Sequence, residues 1–132
     1  MKLINFLVCD DVRTEKNGKN IFIGVYDDII VEATSEEKLV YLKLFFIFRF
    51  MDVQSDNYKF DLNFLMDGSQ YHSMSGTLPI GKLMRHLTLN IGVDQFPIKS
   101  FGELSIELKL TNSQNVKFKF SPEYKINISK QK

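Results

Sequence analysis

An all-β antiparallel sandwich is the fold class this sequence predicts. Three observations predict it: apolar and polar residues alternate at period two in several separate runs, turn-forming residues divide those runs, and the runs recur at roughly ten-residue spacing. About 8–10 short strands are expected. They are expected to form one domain over residues 1–132, a length that suits a single core.

The first run is Leu3 to Cys9. Asn5 interrupts its apolar stretch, which is shorter than the roughly 7–15 residues of a signal-peptide core, and Val8 is not the small residue that precedes a cleavage site. It reads as a strand. Lys16-Asn17-Gly18-Lys19 then reverses the chain, because Asn-Gly tolerates the positive φ of a tight turn. Asn20 to Tyr26 and Asp28 to Glu32 are the next two strands. Gly24 inside the first of them marks a bulge or a close backbone approach, and Arg13 is within reach of Asp10 and Asp11 for an ion pair.

The fourth strand, Lys38 to Met51, has two unlike faces. Val40, Leu42, Leu44, Phe46, Phe48 and Phe50 form a wholly apolar face and belong in the core. The other face, Leu39, Tyr41, Lys43, Phe45, Ile47, Arg49 and Met51, is mixed. Either a crossing loop or neighbouring strand of the same chain covers Tyr41, Phe45 and Ile47, or a partner does.

After Gln54-Ser55-Asp56-Asn57, the residues Tyr58, Phe60, Leu62, Phe64 and Met66 alternate with Lys59, Asp61, Asn63 and Leu65, which makes Asn57 to Met66 a strand with one buried face. Phe46 and Phe64 are expected on the core face of adjacent strands. Asp67-Gly68 is the next turn, followed by a strand at Gln70 to Leu78. Leu78 to His86, with Pro79 and Gly81, is either a short helix or a loop crossing between sheets. Arg85 to Val93 alternates again, Glu103 to Thr111 and Val116 to Phe120 form a hairpin around Asn112 to Gln114, and Tyr124 to Ile128 follows Ser121-Pro122.

Composition narrows the function classes. Apolar residues make up 44% and charged residues 25%, ordinary globular usage that argues against disorder. Seventeen Lys and Arg against sixteen Asp and Glu leave a formal charge of +1, so no broad positive field gathers nucleic acid. Lys117, Phe118 and Lys119 interleave basic and aromatic residues, but alternation sends Lys and Phe to opposite faces, where they cannot stack bases and hold phosphates together. The longest apolar run, up to Met51, contains Lys43 and Arg49, and no window reaches the ~20 apolar residues of a membrane span. A single cysteine, Cys9, fits a reducing compartment, so a cytoplasmic location is expected, where the sequon Asn127-Ile128-Ser129 has no meaning.

No spacing among His72, His86, Cys9 and the aspartates matches a zinc site, an EF-hand, a phosphate loop or a nucleophile elbow. Both histidines are expected to be solvated, His86 on a polar face and His72 in a Ser-rich segment. Asp10-Asp11 is read as the end of the first strand and Asp27-Asp28 as following the second, which puts the two pairs at opposite ends of a hairpin and disfavours a shared calcium ion. No cofactor and no metal are assigned.

Val8-Cys9-Asp10-Asp11-Val12-Arg13, Asn17-Gly18-Lys19 and Ile23-Gly24-Val25-Tyr26-Asp27 resemble the opening of a family of small bacterial proteins of unknown function. Phe96-Pro97-Ile98, Phe101-Gly102-Glu103-Leu104 and the final hairpin extend the resemblance over most of the chain. The resemblance implies an immunoglobulin-like or C2-like β-sandwich and brings no activity, cofactor or active site.

The function expected is therefore a non-enzymatic binding or assembly module acting through protein–protein contact, with another protein or with itself. The candidate interface is Tyr41, Lys43, Phe45, Ile47 and Arg49, where two positive charges border three large apolar side chains. The alternative is an enzyme or a calcium-binding C2-like domain built from loop carboxylates.

Overall fold

The period-two runs become ten strands in a computed structural model that describes residues 1–32 and 40–131. In chain order they are β1 (Lys2–Thr14), β2 (Asn20–Val25), β3 (Ile29–Val31), β4 (Val40–Val53), β5 (Asp56–Met66), β6 (Ser69–Ile80), β7 (Met84–Ile98), β8 (Gly102–Thr111), β9 (Lys117–Phe120) and β10 (Ile126–Lys130). A four-stranded sheet has the order β2-β1-β4-β7 and packs on a six-stranded sheet of order β3-β10-β8-β5-β6, with β9 also paired to β8. All pairs are antiparallel except β3 with β10. The described residues contain no helix, and so none long and apolar enough to cross a membrane.

The core lies between the sheets. Val8, Phe46, Phe48 and Phe50 come from one layer and Leu62, Phe64, Leu104, Ile106 and Leu108 from the other, all buried. Phe46 and Phe64 are not on adjacent strands. They meet across the sandwich with ring centroids 4.8 Å apart, and Phe96 closes the cluster at 5.7 Å from Phe46 and 5.0 Å from Phe64. Rings at these separations in tilted and edge-on arrangements add to the area they bury.

Several strands are longer than expected, with 13 residues in β1, 14 in β4 and 15 in β7. β6 and β7 run on past the expected Leu78 and Val93; both are edge strands, where proline is tolerated. Pro79 and Pro97 lie inside them. Leu78 to His86 holds no helix: β6 runs on to Ile80, β7 starts at Met84, and Gly81 to Leu83 cross between the sheets. Lys38 and Leu39 of the expected fourth strand lie outside the described residues.

The reversals follow the turn residues. Gly18 has φ +83°, and its N–H donates to the Glu15 carbonyl across the β1–β2 turn. Asp67 and Gly68 both have positive φ, 48° and 82°, as a two-residue hairpin between β5 and β6 requires. Gly24, at φ +69°, leaves the space that the Asp10 carboxylate fills, a close approach of the kind expected there.

Gly76 is held by packing. It lies opposite Phe60, and a Cβ there would stand 2.7 Å from Phe60 Cε1. Gly76→Ala should cost about 1–3 kcal/mol in urea unfolding as the ring is displaced. Gly81→Ala, where the added atom meets nothing within 4 Å, should stay within ~0.5 kcal/mol. Equal midpoints for the two variants would contradict this packing.

Candidate protein-contact surface

Each sheet has one face in the core and one facing outward, and the register shows which side chains share the outward face. In the four-stranded sheet, Val25 lies opposite Cys9, Cys9 opposite Phe45, and Phe45 opposite Gly92. The next row is Leu7, Ile47 and Asn90, and the one after it Asn5, Arg49 and Thr88. On the β1–β2 hairpin Ile23 faces Asp11 and Ile21 faces Arg13. An apolar stripe thus runs diagonally from β2 through Cys9 and Leu7 to Phe45 and Ile47, with Tyr41 at the far end of β4.

The five candidate interface residues share this face but differ in access. Tyr41 is 54% exposed, Lys43 and Arg49 are exposed, and Phe45 is half-buried. The Lys43 ammonium stands 5.5 Å from the Phe45 ring centroid, and the ring lies over Gly92. Ile47 is 0% exposed and has no surface to offer a partner, which corrects its place in the interface. Leu7 of β1 and Asn90 of β7 lie directly opposite it.

Sequence reading missed three further members of the surface, Ile21, Ile23 and Val25 on β2, exposed by 37%, 38% and 54%. Their period-two spacing was visible. That β2 sits at an edge, where such residues stay uncovered, depends on the pairing of distant strands.

The outer face of the six-stranded sheet is different in kind. Lys59 pairs with Thr77, Asp61 with Ser75 and Lys109, and Asn63 with Ser73 and Glu107. Apart from Leu65 these central rows are polar. Ion pairs cross this side of the sheet, Lys109 to Asp61 at 3.8 Å, Lys119 to Glu107 at 3.1 Å and Lys125 to Glu103 at 3.4 Å.

The groups considered for chemistry are dispersed. Asp10 and Asp11 do not end β1, which continues to Thr14 because β2 supplies a partner for its second half. Asp10 accepts a hydrogen bond from the Tyr26 hydroxyl, and Tyr124 donates to the Tyr26 carbonyl. Burial, followed by the Asp10 carboxylate, pushes the Tyr26 phenol up to about 12. Asp28 accepts the Asn127 N–H at 3.2 Å and so ties the β2–β3 connection to β10. Among the described residues Arg13 makes no ion pair, and no three His, Cys, Asp or Glu side chains are grouped to hold a metal ion. The Cys9 thiol is buried, and that burial pushes its pKa up, away from nucleophilic use. Three surface hollows of about 380, 410 and 360 Å³ contain no histidine.

No family model matches the chain, and no curated protein matches it. The functional reading rests on the surface itself.

His86 is exposed, whereas His72 is half-buried rather than solvated. Its ring lies 5.8 Å from Phe64 and 5.7 Å from Phe96, because β6 directs every second residue toward the core whatever its polarity. Burial, and after it the Lys99 ammonium, push His72 below its ordinary 6.5. As the pH falls below 6.5 the unfolded chain protonates this residue before the native one does. Stability is therefore lost through that window and regained as the pH rises. The urea midpoint of the wild type should drop more steeply than that of His72→Gln between about pH 7 and 5.5. Parallel profiles would contradict the assignment.

Proposed function

We propose that the protein is a non-enzymatic binding or assembly module that meets another protein through the outer face of its four-stranded sheet. The observation that carries this reading is the contrast between the two outer faces. A sandwich needs only its inner faces apolar, and the central rows of the six-stranded sheet keep to that rule, polar and crossed by ion pairs, with Ile30 on the edge strand β3 as an exposed exception. The four-stranded sheet departs from it. Ile21, Ile23, Val25 and Tyr41 stay exposed around a half-buried Phe45, with Arg13, Lys43 and Arg49 at the border. Apolar and aromatic area edged by Arg and Lys is the composition of an interface with its polar rim.

Two double variants test the proposal, Tyr41→Glu with Lys43→Glu on one outer face and Lys59→Glu with Thr77→Glu on the other. All four positions are exposed, so both proteins should fold with unchanged circular dichroism. Affinity recovery from the native host's extract should lose a specific partner only with the first variant. Loss with the second alone, or with neither, would overturn the reading.

A further inference from the structure

We infer that β2 is a self-pairing edge: two copies of this chain join antiparallel, β2 to β2, about a twofold axis at Ile23, and merge their four-stranded sheets into one. This concerns the edge of the sheet; it shares Ile21, Ile23 and Val25 with the outer face but does not depend on the reading above.

The outward groups of β2 are free to pair. β2 ends its sheet and has no second partner among the described residues. The Tyr26 N–H donates inward to the Val8 carbonyl, so by antiparallel alternation the N–H and C=O of Ile21, Ile23 and Val25 point away from β1. Open edges normally carry a charge, a proline or a bulge against this kind of pairing, or are kept short. β7 has Arg85, Asp94 and Pro97, β6 has Pro79, β9 has Lys117 and Lys119, and β3 is three residues long. The sequence of β2, Asn-Ile-Phe-Ile-Gly-Val, contains neither charge nor proline, and its one irregularity, Gly24 at φ +69°, leaves the pairing with β1 in the same register on both sides.

The register selects a second copy as the occupant. Pairing Ile23 with its twin sets Ile21 opposite Val25 of the other copy, so that the exposed side chains of both edges meet on one face. The same register brings Lys19 opposite Asp27, once at each end. Lys19 lies at a basic tip with Arg13 and Lys16, and Asp27 lies beside Asp28 past the other end of β2, all exposed. A parallel arrangement would set acid against acid and base against base. Antiparallel pairing of a strand with its own twin satisfies both halves by one rule, as an isologous interface requires.

Sedimentation equilibrium of the full chain from about 1 to 100 µM tests the inference, and a reversible dimer is expected across that range. Ile23→Lys puts two ammonium groups together at the axis and should weaken association by roughly tenfold or more while circular dichroism stays unchanged. Lys19→Asp and Asp27→Lys should each weaken it several-fold at low salt, and the double variant should restore it. A wild type that stays monomeric throughout, an Ile23→Lys protein that dimerises as before, or a double variant no better than its parents would overturn the inference. A monomer that still lost its host partner on substitution at Tyr41 and Lys43 would overturn self-pairing and leave the outer-face reading intact.

Discussion

Phe46→Ala and Phe64→Ala should each lower the free energy of unfolding by about 3–5 kcal/mol. Both rings are fully buried, and each is the other's neighbour across the sandwich at 4.8 Å, so neither cavity can close by a small shift of one strand. The two losses should not add. With a shared contact removed twice, the double variant should fall short of the sum by ~0.5–1.5 kcal/mol, the worth of an aromatic pair beyond its buried area. Lys59→Ala and Glu107→Ala, on the outer face of the same sheet, should stay within ~0.5–1 kcal/mol, even though Glu107 pairs with Lys119. Comparable urea midpoints for core and surface variants would mean that the faces are exchanged, as a one-residue slip would do.

Ile47 should behave as core although it lies on the outward side of its sheet. With 0% exposure, Ile47→Ala should cost about 2–5 kcal/mol, and Ile47→Lys more, since an ammonium without a partner would be placed where there is no water. Arg49→Ala, two residues along the same face and exposed, should change the midpoint little. Ile47→Lys that unfolds at the wild-type midpoint would show position 47 to be open surface. Charge substitutions meant to probe association therefore belong at Tyr41 and Ile23.

The inner face was legible strand by strand, because one buried side imposes period two on each run. Tyr58 through Met66 and Leu104 through Leu110 read directly as core. What the sequence leaves open is whatever depends on which strands lie side by side. Phe46 and Phe64 were both recognised as core, yet a residue's face says nothing about whether its neighbour sits beside it or across the sandwich. Ile47 was placed on the correct face and given the wrong exposure, since alternation fixes which face a side chain takes and not whether that face is covered. The same dependence hid the open edge at β2, read as a strand with no sign that it would be the last in its sheet. His72 misled in another way: its Ser-rich surroundings suggested water, while the alternation of β6 turns it toward Phe64 and Phe96.

The claim that contact is made on the outer side of the four-stranded sheet is tested most directly by photo-cross-linking inside the native host. A photoreactive amino acid is placed at Tyr41, or in separate proteins at Thr77 on the outer face of the other sheet; both positions are exposed. Discrete adducts of defined mass should form from position 41 and be absent from position 77. Adducts from position 77 alone, or the same pattern from both, would contradict the account.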